Sequence, residues 1–303
     1  MAVIGLLLAS LLWWLPHQPI TQARPVFVTA SFVDKNHLYL ENLSREEVRV
    51  FENGQPRQVE YLASKDVPFV YGLLFDREVL PQPFEEPAGG AYGVSTATAA
   101  SNVAYQLLDQ AFGQQAGWMG FYDAELQVAI DFVQDAGRIK DAIQMLRGRR
   151  TLEEPYLYTA LFAAAKKMSQ RNEKRRVLVL LVEVLDTKTG EKLKPLKNML
   201  AASNLELFVA SFPRSRIISD HGLPPAQSDA SLRDLAGATA GAVYSSFQDS
   251  IEGMGRRISY QINSFYTIGF QSESEMGAPG KLRIECTRPN IKVTSHPVVP
   301  ILQ

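Results

Sequence analysis

Apolar and polar positions along this chain change their period twice. Val26–Val33 alternates as a half-buried strand does, Leu38–Leu40 is a short apolar patch, and Val48–Glu52 and Gln58–Leu62 flank the dipeptide Asn53-Gly54. Asn-Gly favours the tight turn that joins two antiparallel strands, so this stretch predicts a hairpin. Ser44 followed by Glu47 has the spacing of a capping box for one helical turn. From Pro68 the pattern changes to long apolar strands at 69–75, 118–122, 126–132, 177–185, 205–211 and 242–244. Between them lie helices at 96–112, 138–147, 156–168, 193–203 and 231–236, and a last one marked by Ile251, Met254, Ile258 and Ile262. Strands that are apolar on both faces need cover on both faces, so the six are expected to form a mostly parallel sheet between two helical layers. Residues 118–122 and 126–132 form a hairpin about Asp123. After residue 264 the pattern returns to strands, at 264–271, 282–286 and 291–295.

The first forty or so residues after position 23 cannot bury a stable core alone, and the carboxyl-terminal strands are their natural partner. The expected organisation is an N-terminal β lobe at 24–66, an α/β domain at 67–263 and C-terminal strands at 264–303 that pair back with the lobe. The α/β domain is thus inserted into a small β-sandwich made by the two termini. Ahead of it, Val3–Leu15 is apolar except for Ser10, and Thr21-Gln22-Ala23 follows, the pattern of a secretory signal over 1–23. At ~1.5 Å per residue that run spans about 20 Å, short of the roughly 30 Å of a bilayer core, so a removed signal fits better than a permanent anchor. No later stretch is long enough to cross a membrane, and the protein is expected in the periplasm or outside the cell.

Composition narrows the function. The 303 residues carry 31 Lys and Arg against 32 Asp and Glu, a net charge of −1, which leaves no positive excess for a nucleic-acid backbone. One cysteine, Cys286, and four scattered histidines exclude an internal disulfide and a Cys/His zinc site. No Ser sits in a Gly-x-Ser-x-Gly elbow, and Gly237–Gly241 lacks a phosphate-loop Lys and precedes a strand. The carboxylate pairs Glu85-Glu86 and Glu153-Glu154 lie in polar loops with no burial signal, and the basic runs at 147–150 and 171–176 read as solvated connections. The enzyme reading has no positive support.

The order of elements, with the phrases "LSREEVRVFENGQPRQVEYL", "VYGLLFD", "LYTALFAAAKKM", "RRVLVLLVEVLDT", "LAGATAGAVYSS", "SFYTIGFQSES" and "KLRIECTRPNIKV", resembles the bacterial family related to the von Willebrand factor type A domain, of the acidobacterial type, over about residues 26–296. The resemblance implies a Rossmann-like three-layer fold and a metal-ion-dependent adhesion site at the carboxyl edge of the sheet. There Asp-x-Ser-x-Ser, a Thr and a further Asp hold Mg²⁺ for a ligand carboxylate. Hydroxyl ligands keep such a cation electrophilic enough to capture an outside anion. In this sequence Asp76 matches the leading Asp, but Glu78 and Leu80 stand at the Ser positions, Pro155 at the Thr position, and Glu183, followed by Val184, at the second Asp.

The site is therefore expected to be degenerate, with no cofactor. Asp76, Arg77, Glu78, Tyr156 and Glu183 would instead form a rim that binds a protein partner, with Glu78 facing solvent or pairing with Arg77. Tyr158, Phe84 and Tyr92 belong to the same edge, either exposed to a partner or packed over the rim. Adjacent carboxylates need a neutralising cation or Arg when buried. The alternative is a rebuilt site in which Asp76, Glu78 and Glu183 hold Mg²⁺ or another divalent cation for adhesion. A hydrolase is the least supported reading.

Overall fold

The computed structural model describes residues 23–64, 67–80, 95–123, 125–146, 156–184, 193–213, 228–245, 250–274 and 278–301. Residues 1–22 of the segment expected to be a signal, Phe84, Tyr92, the loop carboxylates at 85–86 and 153–154, Pro155 and the basic run at 147–150 lie outside these residues. No helix among the described residues is long and apolar enough to cross a membrane.

A six-stranded sheet fills the middle of the chain. Its members are β5 (Val70–Asp76), β6 (Ala116–Tyr122), β7 (Leu126–Val133), β8 (Arg176–Val184), β9 (Leu205–Pro213) and β10 (Ala242–Ser245). They run in the order β10-β9-β8-β5-β6-β7, and only the β6–β7 hairpin is antiparallel. Alternate side chains build two separate cores. Tyr71, Leu73, Phe75, Val177, Val179 and Leu181 face α1 (Thr96–Leu107, continued by a π turn at Leu108–Phe112), α2 (Ala136–Met145) and α6 (Ile251–Asn263). Val70, Leu74, Leu178, Leu180 and Val182 face α3 (Leu157–Ser169), α4 (Leu193–Ala202) and α5 (Ser228–Gly237). β5 and β8 are buried at every described position because helices cover them on both sides, which is why their sequences do not alternate.

The terminal strands form the expected sandwich. β1 (Arg24–Val33), β4 (Tyr61–Ala63), β11 (Tyr266–Ser272) and β13 (Lys292–Ser295) form one sheet in the order β13-β1-β11-β4. β2 (Val48–Glu52), β3 (Gln55–Arg57) and β12 (Leu282–Cys286) form the other. Val26, Val28, Phe32, Val48, Val50, Ile268, Phe270 and Ile284 fill the space between them. The Ser44–Glu47 capping box is present on the turn Arg45–Glu47. The hairpin differs from expectation. Asn53 (φ 51°) and Gly54 (φ 82°) make a two-residue turn, so Gln55 stands directly opposite Glu52 and the return strand is Gln55–Arg57. The return strand expected at Gln58–Leu62 is not formed as such: Tyr61 and Leu62, together with Ala63, cross to the other sheet and pair with β11.

Glu52 joins the two sheets. Its buried carboxylate accepts from the hydroxyls of Ser272 and Ser274, the backbone N–H of Glu273 and the Arg57 guanidinium. Burial works to raise its pKa, but these donors outweigh it and hold the group down at about 2.

The α/β domain leaves and rejoins the sandwich through neighbouring strands, since β4 leads into β5, α6 leads into β11, and Leu62 is paired with Ile268. At this junction Arg175 and Arg176 are buried, a correction to the reading of 171–176 as a solvated run. Arg175 grips Glu206 through two bonds of 2.7 Å and donates to the Ile262 carbonyl at 2.6 Å, and Arg176 donates to the carbonyls of Met168 and Arg171. Lys174 caps the rings of Phe27 and Tyr61 at 4.1 and 4.7 Å, tying the base of the sheet to the sandwich.

Two outcomes follow for stability. Gly241 begins the approach to β10, and a Cβ there would meet the Leu207 carbonyl oxygen at 1.8 Å. Neither atom is on a flexible side chain, so Gly241→Ala is expected to cost about 3 kcal/mol or more in urea unfolding. His296 is fully buried beside the junction. Burial pulls its pKa from 6.5 to about 4, and the nearby Glu206 carboxylate, itself held by Arg175, and the Ala201 carbonyl only partly oppose this. The depressed pKa means that stability is present above pH 6.5 and is lost as pH falls towards 4. His296→Leu is expected to lose about 2 kcal/mol less than the parent chain between pH 7.5 and 4.5, measured by urea midpoints.

Candidate functional site

The strand order reverses beside β5. The chain moves from β5 to β6 on one side and later returns to place β8 on the other, and ligands of open α/β sheets bind beyond the strand ends at such a point. Parallel pairing of β5 and β8 carries Asp76 and Glu183 to the same edge, and parallel pairing of β5 and β6 sets Tyr122 opposite Asp76.

Asp76 ends β5 and caps the following turn, Arg77–Val79, by accepting from the Glu78 backbone N–H at 3.0 Å. Its carboxylate, 1% exposed, is also hydrogen-bonded by the Tyr122 hydroxyl and the Glu183 backbone N–H. Burial is the main influence on this group and pushes its pKa up to about 7. The neighbouring Glu78 charge adds to the rise, and the three donors hold it back. Tyr122, fully buried, is pushed well above its ordinary value by burial and by the Asp76 charge.

Arg77 turns along the rim. It forms an ion pair with Asp123, the residue at the tip of the β6–β7 hairpin, and its guanidinium lies 5.9 Å from the centre of the Phe121 ring. Asp123 also accepts from the Gln127 side chain and, at 3.3 Å, from the Glu125 backbone N–H, while its own carbonyl accepts from the Tyr156 N–H at 2.9 Å. Tyr156 precedes α3 and is 47% exposed, whereas Tyr158, two residues on, is buried in the core under the sheet. Of the two aromatics expected at this edge that the structure describes, Tyr156 faces solvent and Tyr158 packs inward. Leu80, at a position where the resemblance calls for a hydroxyl, is 2% exposed and belongs to the core on the other face.

The structure thus brings Asp76 and the Glu183 backbone into contact, places the half-buried Glu78 on the next turn, and joins Tyr156 to the same edge through Asp123. Among the described residues no group of three His, Cys, Asp or Glu side chains is placed to hold a metal ion. Asp76 already accepts from three protein donors, and the described Leu80 supplies no ligand at a position where the resemblance calls for a hydroxyl, so the described residues fit the implied Mg²⁺ poorly. Sequence reading missed Tyr122 and Asp123. The signal was there, because β6 ends one residue before Asp123 and lies in parallel register with β5.

No family model and no curated protein matches this chain. Among solved structures it is similar to the von Willebrand factor type A domain of SpRpn10, with 14% identity and a TM-score of 0.48 over 63% of this chain and 95% of that one. An aerotolerance-related membrane protein from Bacteroides fragilis gives 14% identity and 0.48 over 65% and 98%. A von Willebrand factor type A protein from Catenulispora acidiphila gives 11% and 0.48 over 92% and 74%. The fold assignment rests on the strand order and connections of the chain itself, not on these scores.

Removing Arg77 leaves the Asp123 carboxylate largely buried without its guanidinium. Arg77→Ala is expected to cost about 2–3 kcal/mol, with a double-mutant cycle against Asp123→Ala showing coupling of the same sign. Additive effects in denaturant unfolding would mean that the pair does not brace the rim.

Proposed function

We propose that this chain is a non-enzymatic interaction module of the von Willebrand factor type A kind, secreted or periplasmic, that binds a protein partner at the carboxyl edge of its sheet without a metal ion. The observation that carries this reading is the state of Asp76. The one carboxylate that matches the leading adhesion-site position is buried and bonded by protein donors, with the apolar Leu80 packed where a hydroxyl ligand would stand. An adhesion site needs an electrophilic cation with an open coordination position. This edge offers a braced, largely neutralised surface instead. Arg77 and Asp123 neutralise each other, and Tyr156 projects beside them, the kind of aromatic and Arg pairing that protein interfaces favour.

Titration of the purified protein with Mg²⁺, Mn²⁺ and Ca²⁺ is expected to leave its thermal midpoint unchanged. A photo-crosslinker at position 156 is expected to capture one partner from the native cell envelope equally well with and without EDTA, while one at Leu38, exposed on the sandwich, captures none. Saturable stabilisation by a cation, lost in Asp76→Ala, would assign the site to cation-dependent adhesion through Asp76, Glu78 and Glu183. Turnover of an ester or peptide substrate that disappears in the same variant would make the protein a hydrolase.

A further inference from the structure

A second site lies on the opposite side of the molecule from the rim. Helices α3 and α4 and the last described residues of the chain enclose a groove of about 790 Å³, within the range of small-molecule sites. Phe162, Met199, Val298 and Ile301 supply apolar walls, and Phe162 is half exposed although it is large and aromatic. Among the described residues the charged side chains lining the groove are Lys166 and Arg176, with no Asp or Glu beside them in the wall. Lys166 has no ion-pair partner among the described residues, and Arg176 spends Nε and one Nη on the carbonyls of Met168 and Arg171, which leaves its other Nη without a protein partner there.

We propose that this groove binds a medium-chain aliphatic carboxylate, its tail along the apolar wall and its carboxylate at Lys166 and Arg176. Charge complementarity selects an anion, since both charged residues of the lining are cations; Glu173, whose charge reaches Arg176, is ion-paired with Arg171 and does not line the groove. The state of the backbone selects an acyl chain over a peptide. Ile301 donates to the Ala202 carbonyl at 2.8 Å and Val299 to Gly280 at 2.8 Å, and the hydroxyls of Ser169 and Ser203 turn back on their own helices. The wall therefore offers a docked peptide few groups for its own N–H and C=O, and an acyl tail needs none.

The test is calorimetric titration of the full chain with decanoate below its micellar concentration, beside decyltrimethylammonium and decyl maltoside. Decanoate is expected to saturate one site and to bind about ten-fold or more tighter than the cationic amphiphile. Lys166→Glu and Phe162→Glu, at exposed positions and with unchanged circular dichroism, are each expected to weaken decanoate by a similar factor. Equal binding of all three amphiphiles, an unchanged Lys166→Glu, or no saturation would overturn the proposal. Saturation by an acidic apolar peptide where decanoate fails would also overturn it and give the groove to a partner chain. None of these outcomes bears on the rim, which is tested separately by divalent cations.

Discussion

The bond between Arg175 and Glu206 sets the base on which both halves of the protein rest. Both side chains are almost wholly removed from water, and two parallel N–H···O contacts with a third to the Ile262 carbonyl satisfy the guanidinium. The rings of Phe69 and Phe265 pack against it, with ring centres 5.2 and 5.4 Å away. These rings belong to the segments by which the chain enters and leaves the α/β domain. The ion pair thus fastens the starts of β8 and β9 to the entry and exit segments at one point. Loss of one member would strand a charge in the interior, which ordinarily costs 3–5 kcal/mol or so, a large part of the stability of a whole domain.

The upper edge of the sheet follows the opposite electrostatic logic. At the base, opposite charges are matched and buried together. At the top, Asp76 is buried among neutral donors, and burial raises its proton affinity. The formal charge that could neutralise it, Arg77, is committed to Asp123. A sheet whose strand ends are closed by internal hydrogen bonds presents a fixed surface, with the Tyr156 side chain exposed beside it.

Much of this was legible in the residues. The unalternating runs at 69–75 and 177–185 could only be central strands, and the positions of Asp76 and Glu183 at one edge follow from parallel pairing. The capping box and the Asn-Gly turn acted locally and kept their geometry. What could not be read were choices made by tertiary contact. Tyr61–Ala63 has no local reason to leave its hairpin, and does so because β11 offers an unpaired edge. Arg175 and Arg176 sit in a run that is hydrophilic by composition, and only Glu206, some thirty residues on, makes burial of Arg175 tolerable. Asp123 marks a turn in sequence, and its pairing with Arg77 depends on the register between two strands.

The pairing of Leu62 with Ile268 has a mechanical consequence. The roughly two hundred residues between them form a closed excursion from the sandwich, because entry and exit are stitched together by backbone bonds. Tension applied between β1 and β13, which are themselves neighbours, runs through their own ladder and never passes along the excursion. A pull on the termini would peel the terminal strands while the α/β globe stays unloaded, so the upper edge of the sheet would hold its shape until the sandwich gives way.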